Sequence, residues 1–248
     1  MYNQRQGLLS SIPPVTKVIL IINVVLFILS SRYLFPILNI YLPIFSFKSD
    51  MFHPYQLITH MFMHGGFTHL FFNMFALFMF GRILEQYWGS QRFFLYYFVT
   101  GLGAALLHLL VIQIQANNLI AQMNPAEVNE VVHNGFYKLI TDTQYSYSSL
   151  MKELNQLINT RTVGASGAIY GLLLAFGVLF PNVEMYIMFI PIPIKAKYLV
   201  IFFIISELYL GFIDRPGDNT AHFAHLGGML FGLILLYFWR KKQFKRWD

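Results

Sequence analysis

Apolar runs of membrane-crossing length constrain this chain more than any other feature. Stretches at about 16–36, 68–87, 92–114, 163–180, 197–213 and 221–239 each approach the roughly 20 residues that a spanning helix needs. Charged residues make up only 11% of the chain, about half the share of a soluble domain, so these runs are not the core of one large soluble fold. The reading is an all-α membrane protein, one domain over residues 1–248, with six spans. The first run has no A-x-A-like site after its apolar core and is expected to be a retained anchor. Residues 36–67 hold Pro36, Pro43, Pro54 and the Gly65-Gly66 pair among aromatics, which suits an irregular segment lying in the interface. The long polar stretch 115–160 is expected to be a loop or small excursion outside the bilayer. A Pro-broken link, "PNVEMYIMFIPIPIKAK", joins the fourth and fifth spans.

Charge and cysteine content narrow the function classes. With no Cys there is no disulfide frame, no thiolate nucleophile and no Cys-ligated metal. The net charge of +6 comes from scattered Lys and Arg that end in a basic tail over 240–248, so the partner of that charge is the bilayer surface and not nucleic acid. With the N-terminus inside, Arg5, Lys17, Arg82, Arg92, Lys195, Lys197 and the tail cations lie on the cytoplasmic side. Arg32, Lys48, Lys138, Lys152, Arg161 and Arg215 lie outside, and the inner excess favours both termini in the cytoplasm of an inner or plasma-type membrane.

In that orientation spans two, four and six run from outside to inside, so residues near their starts share one depth. They are His69 and Asn73, Ser166, and His222 with His225. Polar side chains within a membrane are costly unless paired or facing a watery cavity, so their convergence marks a site. The chemistry of the set is acyl transfer. A serine hydroxyl needs a base to take its proton, and a neutral imidazole suits that task, which pairs Ser166 with His225. Donors for a developing oxyanion are the Ser166 amide at a helix start, the Asn73 amide and the His69 ring. Tyr170, one turn from Ser166, is placed to stack on the imidazole. Gly167 and Gly171, and Gly228 and Gly232, form two small-xxx-small faces that let spans four and six approach, while Gly164 and Gly167 leave room beside the serine.

The segments "HMFMHGGFTHLFFNM", "GRILEQYWG", "GASGAIYG" and "AHFAHLGGMLFG", in this order, resemble the rhomboid intramembrane serine proteases over residues 16–239. The resemblance implies a six-transmembrane-helix rhomboid bundle and a dyad without a third acid, with Ser166 as nucleophile and His225 as general base. It further implies His69 and Asn73 as oxyanion partners, Tyr170 as the ring that supports the base, and Gly81, Glu85 and Gly89 as structural positions. It implies transmembrane protein substrates with a small residue before the cut, and no cofactor. One departure is Tyr55-Gln56, where many members carry a Trp-Arg pair that pins the first outer loop.

Other readings compete. His60 and His64, four apart, are a metal pair or a structural hydrogen-bonding pair, the latter favoured. His222 is a second cavity residue or a polar residue at the helix mouth. His53, His108 and His133 lack evident partners in the sequence. Glu207, inside span five, either bonds a neighbouring helix or takes part in gating by that span. As a class, a metal or proton transporter would use the outer-half histidines but lacks a carboxylate relay and paired halves, and an inactive rhomboid-like binder would have lost the serine or the histidine. The charge distribution leads to one prediction. A reporter active only outside the cytoplasm, fused after Asp248, is expected to be silent, and an active fusion would reverse the orientation.

Overall fold

The computed structural model describes residues 11–31, 34–35, 37–186, 192–213 and 221–244, with the backbone alone for 241–244. Eight principal helices follow in order. They are α1 (Pro14–Leu29), α2 (Phe67–Trp88, with a π turn over Leu77–Gly81), α3 (Ser90–Ile120), α4 (Pro125–Ile140), α5 (Ser149–Asn159), α6 (Ser166–Leu179), α7 (Ala196–Ile213) and α8 (His222–Phe244). Four helical stretches are long and apolar enough to cross a membrane: α2, α3, α7 and His222–Arg240 of α8. Two shorter apolar helices, α1 and α6, complete the bundle. The expected first span reached Pro36. Helix α1 instead stops at Leu29, where Ser30 caps its end through bonds from its own amide to Leu26 and Ile28, and residues 32, 33 and 36 lie outside the described set.

Helix α6 is central. Ten of its 14 residues, from Gly167 to Gly177, are buried, which fits a helix apolar on every side. At 1.5 Å per residue it covers only about 21 Å, short of the ~30 Å hydrocarbon core. Gly164 and Ala165, which lead into its N-terminus, are buried as well. Helices α3 and α8 pack closely on it, while α1 and α7 present Ile21, Val25, Ile28, Phe202, Ile205 and Phe212 outward.

The polar stretch 115–160, expected as a loop or small excursion, is largely helical. Helix α3 continues to Ile120, and α4 and α5 form a helical hairpin with their own core of Ala116, Val131, Tyr145, Met151, Leu154 and Ile158. The local signals are good ones. Asn124 and Glu127 form a reciprocal capping box with Pro125 at the first turn, and Ser148 accepts from the Met151 amide at the start of α5. High polarity concealed the helical period because each helix buries only a narrow face. The link after α6 contains a two-stranded antiparallel hairpin, β1 (Glu184–Tyr186) with β2 (Pro193–Lys195), Glu184 facing Lys195. Residues 187–191 of that link, Arg215, and the basic tail beyond Phe244 lie outside the described residues.

One buried carboxylate anchors the first helix. Glu85 of α2 accepts from the Val15 amide at 2.9 Å, from the Thr16 amide and hydroxyl at 2.7 Å each, and from the Ser90 hydroxyl at 2.7 Å. It thus caps the N-terminus of α1, where the free amides and the helix dipole favour negative charge. Gly81 sits one turn earlier, with Thr16, Leu77 and Phe93 all 3.1–3.2 Å from where a Cβ would stand. Glu85→Ala is expected to leave four donors with no partner and to cost about 2–4 kcal/mol. A thermal unfolding midpoint in detergent equal to that of the parent protein would contradict this role.

Candidate active site

The backbone leading into α6 is held by residues 39–60. Ile44 and Thr162 exchange backbone hydrogen bonds at 3.0 and 2.9 Å, the Gly164 amide donates to the His60 carbonyl at 2.9 Å, and Arg161 Nη1 donates to the Asn39 carbonyl at 2.9 Å. Gly164 has a φ of +127°, a conformation that strains residues with side chains. Space matters as much as backbone here, because a Cβ at Gly164 would stand 2.9 Å from His69 Nε2 and 3.6 Å from Ser166 Oγ. His69 and Ser166 thus border one point, kept open by the absence of a side chain.

Ser166 is the first residue of α6, so its hydroxyl and amide stand at the positive end of a helix whose first-turn amides have no intrahelical acceptor. Its hydroxyl lies 2.9 Å from His225 Nε2 on α8, and Oγ–H donates when that nitrogen is unprotonated. The His225 ring is buried and stacked on Tyr170, with centroids 4.0 Å apart and planes within 7°. Phe203 of α7 meets the Tyr170 ring edge-on at 5.8 Å. Asn73 is buried one turn beyond His69 and donates through Nδ2 to the His69 carbonyl at 2.9 Å, leaving its second amide hydrogen for another acceptor.

The glycines divide their work among three helices. A Cβ on Gly228 of α8 would overlap the Gly167 carbonyl of α6, which makes this the closest crossing of those two helices. The other positions take in α3: Gly167 faces Ala104, Gly171 faces Thr100, and Gly232 faces the Tyr96 hydroxyl, which donates to the Gly171 carbonyl at 3.0 Å. The expectation of two mutually facing pairs therefore needs correcting. Gly171 and Gly232 accommodate the bulk of the third helix, because α3 wedges beside the α6–α8 crossing.

The remaining histidines sort themselves by partner. Burial pushes the His60 pKa down to about 4, and the neutral ring donates from Nδ1 to the Gln56 carbonyl at 2.8 Å, a structural bond. His64 does not face His60 as a ligand pair; it is buried with its ring edge-on to His69 at 5.0 Å. His108 Nε2 meets the Thr162 hydroxyl at 3.1 Å, His133 pairs with Asp50, and His53 Nδ1 meets the Phe52 carbonyl at 2.6 Å. The Tyr55-Gln56 departure leaves the loop well pinned. Gln56 is fully buried, accepts from the His53 amide at 3.0 Å, and donates to the Tyr41 and Met51 carbonyls at 3.1 and 2.8 Å.

Glu207 of α7 is the residue whose placement the sequence left open. It is 5% exposed, with Oε2 at 2.6 Å from His222 Nδ1 and Oε1 at 3.0 Å from His225 Nδ1. A single carboxylate inside an apolar run was the available signal. Among the described residues, Glu207, His222 and His225 form the one group whose donor atoms, all within 4.8 Å of one another, have the spacing of a metal site. Their mutual contacts use the same lone pairs that an ion would require.

A family model described as Rhomboid domain matches residues 52–242, and the chain belongs to the rhomboid family. Among curated relatives, RHOMBOID-like protein 5 of Arabidopsis thaliana is 31% identical over 184 residues, 73% of this chain and 44% of that protein. RHOMBOID-like protein 12, mitochondrial, from the same plant is 25% identical over 207 residues, 84% of this chain and 52% of that protein. A Bacillus subtilis (strain 168) protein named "Putative rhomboid protease YdcA" is 27% identical over 195 residues, covering 78% of this chain and 71% of its own. The chain spans about half or less of the plant relatives' length.

The Gly228 crossing leads to a prediction. Gly228→Val forces α6 and α8 apart or displaces the Gly167 backbone, and overpacking of this kind costs about 1–3 kcal/mol or more. A lowered unfolding midpoint in detergent is expected, and one within a degree of the parent's would show that the crossing tolerates a side chain.

Proposed function

We propose that this protein is an intramembrane serine endopeptidase, acting through a Ser166–His225 dyad on single-span membrane proteins near the outer membrane surface. The observation that carries the reading is the 2.9 Å contact between Ser166 Oγ and His225 Nε2, made across two helices at a buried crossing. Family membership and a relative named as a protease support it.

In the proposed reaction the Ser166 oxygen attacks the scissile carbonyl carbon while His225 Nε2 takes the hydroxyl proton. The carbonyl oxygen becomes negative and is stabilised by the Ser166 amide, with His69 and Asn73 as further donors. His225 then returns its proton to the departing amine, which leaves an ester on Ser166. Water entering from the outer side gives a proton to His225 and attacks the ester carbon; the bond to Ser166 Oγ then breaks, His225 returns the proton to that oxygen, and the acyl fragment leaves as a carboxylic acid. Tyr170 limits the rotation of the imidazole throughout. No cofactor enters these steps.

The six-span arrangement belongs to the same proposal, with both termini cytoplasmic and the α4–α5 hairpin outside. A peptide bond in an intact helix is shielded, so the substrate is a transmembrane segment that unwinds readily near the outer surface and has a small residue before the cut. Helix α7 presents its outward face to lipid and is the element that moves aside for such a segment.

A fluorophosphonate probe applied to the purified protein is expected to label it, and Ser166→Ala is expected to abolish labelling. In cleavage of a model single-span substrate in liposomes, His225→Ala should lose as much activity as Ser166→Ala, because the two act as a unit. His69→Ala and Asn73→Ala should each lose on the order of 10²-fold or less, since other donors remain. His222→Ala should retain more activity than His225→Ala, and EDTA should leave cleavage unchanged. Labelling that persists in Ser166→Ala, or activity abolished by EDTA, would defeat the assignment.

A further inference from the structure

We infer that Glu207 is the positioning carboxylate of the proposed dyad, holding His225 in the tautomer that leaves Nε2 free to accept the Ser166 proton. The inference rests on the protease reading above and adds a third participant to it, supplied by α7. Its geometry is that of a relay. Ser166 Oγ lies 2.9 Å from one ring nitrogen of His225, and Glu207 Oε1 lies 3.0 Å from the other.

A neutral imidazole carries one proton, on either nitrogen, and only the Nδ1–H form leaves Nε2 with the lone pair that a general base requires. A carboxylate has acceptor sites alone, so a carboxylate beside Nδ1 selects the productive form. When Nε2 takes the serine proton, the ring becomes positive in a low-dielectric surrounding, and the same carboxylate offsets that charge. The approach to His225 Nδ1 is off the N–H axis, so with the ring neutral the carboxylate meets the ring dipole, and the interaction strengthens when the ring becomes positive.

The carboxylate itself is held by both histidines. His222 Nδ1 meets Oε2 at 2.6 Å and His225 Nδ1 lies 3.0 Å from Oε1, while Gly211, one turn further along α7, lets α8 come near, with His222 Cβ 3.3 Å from where a Cβ would stand. Phe203, Glu207 and Gly211 recur every four residues, so one stripe of α7 faces Tyr170, both histidines and α8. The rest of α7 is lipid-facing and apolar, and an ionised carboxylate there costs several kcal/mol unless paired, so packing alone does not account for it. This arrangement has a consequence for the reaction. The base is fully tuned when the Glu207 stripe of α7 lies against α8, so the helix proposed to admit substrate also sets the tautomer of the base.

The test uses the full-length protein in liposomes with a model single-span substrate, a fluorophosphonate probe, and ¹⁵N-histidine labelling, with His225→Ala serving to assign the His225 ring. Wild-type neutral His225 is expected to show a protonated Nδ1 and an unprotonated Nε2. Glu207→Gln keeps the shape but places an amide donor within reach of Nδ1, and is expected to shift the ring toward the Nε2–H form. It should lower kcat on the order of 10²-fold with KM changed less than about threefold, as for loss of one preorganised interaction. Glu207→Asp, which keeps the charge on a shorter stem, should recover part of that loss and the Nδ1–H signature. A Glu207→Gln protein with wild-type kcat, or one whose loss lies in KM with the Nδ1–H form intact, would show that Glu207 merely docks α7. If Glu207→Gln does not fold, the wild-type spectrum still decides, because an Nε2–H ring at His225 overturns the inference. Failure of the parent reading looks different, since wild type itself would then react with no probe at Ser166.

Discussion

Everything at the candidate site depends on how nearly two helices can touch. The α6 and α8 backbones meet at Gly167 and Gly228 with no side chain between them, and the Ser166–His225 contact lies at the level of that crossing. In a bilayer the lipid tails are as apolar as the helix surfaces, so association relies on close packing and interhelical hydrogen bonds more than on exclusion of water. A glycine at the crossing supplies the first, and small residues beside it allow α3 to supply the second through Tyr96 and the Gly171 carbonyl. The geometry of the proposed nucleophile and base therefore rests on close approach at glycines that carry no chemistry of their own.

A second constraint acts on the backbone leading into the serine. Helix α6 is shorter than the hydrocarbon core is thick, and buried backbone amides and carbonyls require partners. Residues 39–60 meet that requirement by bonding to Thr162, Gly164 and Arg161, and they are themselves held by the buried Gln56. The serine is thus presented at the end of a fixed, hydrogen-bonded backbone segment. Glu85 plays the corresponding part at the opposite end of the bundle, where it ties α1 to α2 through the orphan amides of a helix start.

The polar side chains around Ser166 form a compact group. Glu207, His222, His225, Tyr170 and Ser166 form one connected set drawn from α6, α7 and α8, while His69 borders it across Gly164. Low dielectric makes such a set strong when complete and costly when broken. That is a reason for several helices to be coupled here although most of their surface is interchangeable apolar contact.

Much of this protein was legible from residue order alone. Apolar length identifies the bundle helices, because the bilayer imposes a length on any segment that crosses it. The ordered segments around His69, Glu85, Ser166 and His225 carry the family, since chemistry demands particular residue types where packing accepts many. Two parts were not legible. The α4–α5 hairpin reads as a polar loop or small excursion, because its helices bury only narrow faces and its short core exists only once α3, α4 and α5 fold against one another. The division of the glycines, the pinning role of Gln56 and the meeting of Glu207 with His222 and His225 depend on which helix faces lie together. Helical periodicity places a residue on a face but says nothing of which neighbour that face meets. Only the packed bundle decides that, because close approach at a few small residues sets the rotation of each helix about its own axis.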